Sequence, residues 1–254
     1  MRLPAGKSNE MSTGKGIIYG LGLGPGDPDL MSVKADRILR KSSHVAYFRK
    51  KGRKGHARTI VDNLLAENVV EYAMEYPVTT EIALSDPAYN VALSEFYEDC
   101  AARIKTFSDQ GISVTVLCEG DPFFYGSFMH IYTRVKDSHP VCVVPAITGM
   151  SAAWTQTGHP ITWGDDVLTV LTGTLPEEVL LEKMRQSDAL VIMKIGQHLG
   201  KVKRALKSSG LYERAWIVRH AAMTNSEVQK LNEVDDDSTP YFSIIIVHGQ
   251  GRRP

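Results

Sequence analysis

The chain has few cysteines, no excess of charge of either sign and no long apolar run, and each shortage removes a class of function. Its three cysteines, Cys100, Cys118 and Cys142, are odd in number, far apart and never in a CxxC pair, which argues against a disulfide framework or a structural zinc site. Cys118 and Cys142 lie in apolar strand-like runs and read as small buried hydrophobes. Lys plus Arg and Asp plus Glu are 29 each, so no global field draws the protein to nucleic acid or to an anionic membrane. Any preference for anions must be local. No stretch has the apolar length of a membrane span. Residues 1–15 lack the apolar centre of a secretory signal; they read as a disordered tail with Met11 as an alternative start, and a cytoplasmic protein is expected. Gly-x-Ser-x-Gly, the P-loop and histidine pairs at zinc spacing are all missing, which leaves a hydrolase, a kinase or a metalloenzyme without a foothold.

What is present is an alternation of strand and helix signals. At 254 residues with 43% hydrophobic composition, the chain can bury a substantial core as one large or two modest domains. Strands are expected over 16–23, 44–48, 69–74, 113–117 and 141–144, with helices over 30–40, 57–65, 86–110 and 125–135 between them. Asp27 or Asp29 is placed to cap the first helix. Asp86-Pro87 opens the longest helix and Gly111 closes it. Strands linked by crossover helices imply a mostly parallel sheet. After Pro145 a helix opens near Ala152, and the domain boundary is placed there, giving α/β domains over 16–145 and 146–254. Later strands are expected over 166–171, 189–195, 215–219, 228–231 and 241–247, with helices over 177–185 and 199–207. Strands that follow one another without a helix imply a mixed, partly antiparallel second sheet.

Two turns stand out. The strand Gly16–Tyr19 runs into Gly20-Leu21-Gly22-Leu23-Gly24-Pro25-Gly26-Asp27-Pro28, and Val114–Leu117 runs into Cys118-Glu119-Gly120-Asp121-Pro122. Turns at the carboxyl ends of parallel strands are where open α/β sheets bind ligands. The first is not a dinucleotide fingerprint: counted from Gly20 the third glycine position holds Pro25, and from Gly22 it holds Asp27.

Five segments in order, GLGPGDPDLMSVKADRIL, LCEGDPFFYGSF, VVPAITGMSAAW, DALVIMK and PYFSIIIV, resemble the tetrapyrrole methylases, S-adenosylmethionine-dependent enzymes of cobalamin and sirohaem synthesis. The resemblance spans nearly the whole chain from Gly16. It implies two dissimilar α/β domains with the methyl donor in a cleft between them, S-adenosylmethionine as cofactor with no metal, a tetrapyrrole substrate and a homodimer. Matched to the family's motifs, the donor contacts would be Pro25, Glu119, Gly120, Asp121, Thr148, Gly149, Met193 and Ala222. Ala146 and Glu119 stand where family members commonly carry glycine. A sulfonium nucleoside carries no phosphate, so the broken fingerprint is consistent with it, and Asp121 is a candidate partner for its cation or ribose.

Arg49 to Arg58 holds six Lys or Arg residues and a histidine in ten positions. It is either a solvated loop or a capture site for the acetate and propionate groups of a tetrapyrrole, with Arg49, Lys50, Lys51 and Arg53 as candidates. Phe123, Phe124, Tyr125, Phe128 and Tyr132 divide between core packing and an aromatic wall for the macrocycle, with Tyr125 the residue assigned to substrate. His130, His159 and His220 are candidate proton acceptors, and no catalytic base follows from the sequence. The carbon methylated, and whether the substrate carries cobalt, stay open within the family. Outside it, a nicotinamide-dependent oxidoreductase and a non-catalytic tetrapyrrole carrier are the alternatives.

Overall fold

A computed structural model describes residues 14–77 and 86–252; of the expected tail, residues 1–13 lie outside them. The chain divides into two units. One comprises Met1–Gly22, Val33–Cys118 and Tyr125–Pro145; the other comprises Leu23–Ser32, Glu119–Phe124 and Ala146–Pro254.

The first unit contains β1 (Ile18–Gly22), α1 (Val33–Leu39), β2 (His44–Lys50), α2 (His56–Ile60), β3 (Val70–Tyr76), α3 (Pro87–Asp109), β4 (Val114–Cys118), α4 (Phe128–Val135) and β5 (Val141–Val144). Its strands form a sheet in the order β3-β2-β4-β1-β5, parallel throughout. All five residues of β4 are buried, as a parallel strand covered on both faces requires. Tyr97, Cys100, Ala101 and Ile104 of α3 pack with Ile18, Val114, Val116 and Phe128. The helix is held at its start by Asp86, whose Oδ1 accepts the Ala88 N–H at 2.9 Å.

Three expected boundaries move for identifiable reasons. Asp27 caps a 3-10 turn over Pro28–Leu30 by accepting the Asp29 N–H at 2.9 Å, so α1 starts at Val33 rather than near Leu30. β2 runs on to Lys50 because its pairing with β3 continues through Arg49↔Glu75 and Lys50↔Tyr76; Arg49 and Lys50 are therefore strand residues. Tyr125 has φ 55°, outside the right-handed helical region, and α4 starts at Phe128.

The second unit adds α5 (Gly149–Gln156), β6 (Leu168–Thr172), α6 (Glu177–Arg185), β7 (Ala189–Met193), α7 (Leu199–Ser208), β8 (Ala215–Arg219), β9 (Glu227–Lys230) and β10 (Ser243–Val247). Its sheet has the order β6-β7-β10-β8-β9. β6 and β7 are parallel, whereas β10 runs antiparallel to β7 and β8, and β9 antiparallel to β8. Alternation along each strand serves two cores. Leu190, Ile192, Ile217 and Ile245 pack against Leu180, Met184, Val202 and Leu206 of α6 and α7. Val191, Val218, Ile244 and Ile246 face Ala152 and Ala153 of α5.

The register Gly22↔Cys118 brings β1 and β4 level at their carboxyl ends, so the two turns leave side by side. Gly20 is not part of a ligand turn. It lies within β1, and a Cβ there would stand 2.2 Å from the Phe128 ring, so it is the space that seats a fully buried phenyl group. Gly20→Ala is expected to destabilise the protein by about 1–3 kcal/mol through overpacking. Urea unfolding would check this, and the loss should shrink when Phe128→Leu is added.

Candidate functional site

The turns at the carboxyl ends of β1 and β4 are joined to each other by backbone. The Gly120 N–H donates to the Gly24 carbonyl at 2.7 Å, an isolated antiparallel bridge. Pro25, next in the chain, is buried. Gly26 lies so close to the segment after β8 that a Cβ would meet Met223 Cγ at 2.7 Å and the Ala222 carbonyl oxygen at 3.0 Å. Any side chain there would push the turn away.

Asp121 ties in the third segment. Its Oδ1 accepts the Phe123 N–H at 2.9 Å and its Oδ2 the Ala146 N–H at 3.0 Å. Each oxygen thus holds one backbone N–H and retains a further acceptor position. The alanine at 146 is accommodated without strain; it is not among the residues with positive φ. Two residues on, Thr148 caps α5, which opens at Gly149 rather than near Ala152. The Thr148 carbonyl accepts the N–H groups of Ser151 at 3.1 Å and Ala152 at 3.3 Å. Gly149 abuts Ile244 of β10.

Met193 ends β7, and its carbonyl accepts the Gly173 N–H at 2.7 Å. Met193 and Ala222 both pack against the core beneath α5. Ala222 has φ 58° and donates its N–H to Gln156 Oε1 at 3.3 Å; the same oxygen takes the Ser226 hydroxyl at 2.9 Å. All eight residues assigned to the donor thus fall in the second unit. The non-glycine residues with positive φ among those described are Tyr125, Lys194, His220 and Ala222. Each sits within the second turn or just beyond β7 or β8. Such conformations cost on the order of 1–3 kcal/mol each and gather at functional sites. Sequence reading missed Gln156, Lys194 and Met223: Gln156 is 66 positions from its partner Ala222, and no local pattern announces a left-handed lysine.

Glu119 differs from Asp121. It is half-buried, and its side chain has no hydrogen bond or ion pair among the described residues. Burial alone pushes its carboxyl up to about 8. Open space lies beside the Gly120 Cα, where a Cβ would meet nothing within 4 Å. Carbonyls, a carboxyl group, a proline without an N–H and open space make a poor cradle for phosphate. They fit a phosphate-free cationic nucleoside.

In the first unit the basic segment is partly neutralised. Arg49 pairs with Glu75 at 2.6 Å, Lys54 with Asp62, and Arg58 with Glu71 and Asp62 at 2.8 and 2.7 Å. Lys50, Lys51 and Arg53 are exposed and make no ion pair among the described residues. Phe128 is 1% exposed, and Tyr132 packs on the same core, whereas Phe123 and Tyr125 are 45% and 43% exposed. The aromatic cluster is therefore divided between core and exposed positions. Of the candidate histidines, His130 stacks on Tyr97 in the first unit. His159 lies against Trp216 at the start of β8, away from the β8 terminus that leads to Ala222. His220 alone of the three directly follows Arg219, beside Phe242.

No group of three or more His, Cys, Asp or Glu among the described residues is arranged to hold a metal ion. None of their helices is long and apolar enough to cross a membrane.

Level strand ends and backbone-joined turns define an α/β protein whose turns are the candidate small-molecule site. The chain belongs to the tetrapyrrole (corrin/porphyrin) methylases, whose sequence profile matches residues 17–235. The precorrin-2 C(20)-methyltransferase of a Sinorhizobium species is 44% identical over 241 residues, 95% of this chain and 98% of that one. The cobalt-precorrin-2 C(20)-methyltransferase of Salmonella typhimurium is 29% identical over 92% of this chain and 97% of its own. The uroporphyrin-III C-methyltransferase of Thermus thermophilus, solved with S-adenosylhomocysteine, shares the fold at a TM-score of 0.64 and 19% identity, covering 91% of this chain and 97% of that one. Membership sets aside the nicotinamide-dependent oxidoreductase.

Two outcomes are expected. Asp121→Ala leaves two N–H groups without acceptors and should cost about 1–3 kcal/mol; Asp121→Asn, which keeps one acceptor oxygen, should lose less, as read by urea unfolding. Glu119 holds its proton in the folded state at pH values where an unfolded glutamate, near 4.5, has lost it. Between 4.5 and about 8 the native state binds more protons, so stability should fall as pH rises through that window. Thermal melts of Glu119→Gln against pH should show a flatter profile.

Proposed function

We propose that the protein transfers the methyl group of S-adenosylmethionine to carbon 20 of precorrin-2, giving precorrin-3A in cobalamin biosynthesis. The observation that carries this reading is the 44% identity to the Sinorhizobium enzyme over nearly the full length of both chains. The assembly of the two turns, the α5 start and the segment after β8 at one place supports it.

Pro25, Gly120, Thr148, Gly149, Met193 and Ala222 would hold the donor, with Glu119 at the edge of the same turn and Asp121 bracing it. When bound, the donor supplies an electrophilic methyl group on a sulfonium, and the departing thioether needs no proton. What the protein adds is alignment and the exclusion of water, which can contribute on the order of 7–11 kcal/mol. Lys50, Lys51 and Arg53 would draw in the carboxylate-rich macrocycle, and Tyr125 would bear on its face. The reduced macrocycle is electron-rich, so activating the carbon needs no strong base. We further infer a homodimer in the cytoplasm, which sedimentation and cell fractionation would check.

Incubation with precorrin-2 and methyl-labelled donor, followed by NMR of the product, should place the label on carbon 20. Label on another carbon, or turnover only with the cobalt-loaded substrate, would replace this assignment with another in the family. Binding of the macrocycle without turnover would make the protein a carrier. Replacing Lys50, Lys51 and Arg53 with alanine should raise KM, leave kcat nearly unchanged and weaken the dependence of kcat/KM on salt.

A further inference from the structure

Methylation at a bridging carbon of the macrocycle leaves a hydrogen to be removed. The C–CH3 bond forms as the S–CH3 bond breaks with its electron pair going to sulfur, and the hydrogen on that carbon must then leave as a proton. The groups at the site are not equally free to take it. Asp121 has one oxygen on the Phe123 N–H and the other on the Ala146 N–H. Asp27, on the neighbouring turn, caps the Pro28 turn through Asp29.

Glu119 is placed otherwise. It follows the last residue of β4 directly and precedes the Gly120 N–H that joins the two turns. Its carboxyl is half-buried, without a hydrogen-bond or ion-pair partner among the described residues, and the space beside the adjoining Gly120 is open. Resting on the function proposed above, we propose that the Glu119 carboxylate accepts the proton released from the methylated carbon. The residue that replaces the family's common glycine here is then a group that takes part in this reaction.

The electrostatics agree with that role. A general base is most effective when its pKa lies near the working pH, and burial raises this carboxyl to about 8. The titratable and charged groups on the joined segments and next to them are Asp27, Asp29, Cys118, Asp121, Tyr125 and, ahead of Ala222, Arg219 and His220; none of them contributes to the shift, whose single cause is desolvation. His220 is the competing acceptor.

The experiment compares wild type, Glu119→Gln, Glu119→Asp and His220→Ala with precorrin-2 and S-adenosylmethionine, and measures S-adenosylhomocysteine affinity by calorimetry. The wild-type kcat/KM should rise with pH through about 8, where Glu119 ionises. Glu119→Gln, of the same size and still offering an acceptor oxygen, should lose far less S-adenosylhomocysteine affinity than rate, lose the pH limb and fall in kcat by roughly 100- to 10,000-fold, the range general-base catalysis supplies. Glu119→Asp, with a carboxylate on a shorter arm, should keep the limb at a reduced rate. This also covers the case in which the glutamine variant does not fold. A glutamine variant with wild-type rate and limb overturns the inference alone. So does a loss of rate matched by loss of S-adenosylhomocysteine affinity, or a limb that disappears only in His220→Ala. A wild type that binds S-adenosylhomocysteine but yields no product methylated at carbon 20 overturns the proposed function and this inference with it.

Discussion

Segments near residues 24, 120 and 146 are held together by one backbone–backbone hydrogen bond and by the Asp121 carboxylate, and the rest of the site depends on that junction. The Gly120 N–H reaches the Gly24 carbonyl, and the Asp121 carboxylate holds the N–H groups of Phe123 and Ala146. Backbone groups in turns have no ladder to satisfy them, and leaving them unpaired away from water is costly. A single aspartate with two acceptor oxygens meets that need for two chain segments at once. It braces the turn, while its neighbour two residues back, Glu119, has no hydrogen-bond or ion-pair partner among the described residues.

The arrangement separates charges by task. The turns present carbonyls and an uncharged or late-ionising carboxyl, surroundings suited to a cation without phosphate. Exposed cations stand in the other unit, at the end of β2 and just beyond it. Part of that basic segment is spent internally: the pairing of β2 with β3 sets Arg49 opposite Glu75, and Arg58 is clasped by Glu71 and Asp62. Lys50, Lys51 and Arg53 keep their charge for solvent or a polyanionic ligand. Paired cations at a surface contribute little to affinity for a new anion, because their field is already answered.

Much of the architecture was legible from short-range patterns. Buried parallel strands are apolar without alternation, and Asp-Pro and Gly mark the ends of α3, so β4 and α3 could be placed to within a residue or two. The fine structure of the turns was not legible. Asp27 looked like the cap of a helix and instead caps a 3-10 turn; Gly20 looked like part of a ligand loop and instead makes room for Phe128. In both cases the deciding contact is set by geometry that residue type alone does not convey. The site was legible to the extent that motif order names Pro25, Gly120, Thr148, Met193 and Ala222. It was not legible in Gln156 or Lys194, whose roles arise from partners and backbone angles remote from any local pattern.

The amino-acid sequence by itself determined the alternation of strands and helices, the absence of a phosphate cradle and the family, because these follow from local periodicity, glycine and proline spacing and the order of short motifs. Only the tertiary structure decided which carboxylate holds backbone N–H groups, which of the described cations are already paired, and that both turns of the first half group with the second unit. Those outcomes depend on distances between residues tens to hundreds of positions apart, set by strand register and packing, and one-dimensional spacing carries no record of them.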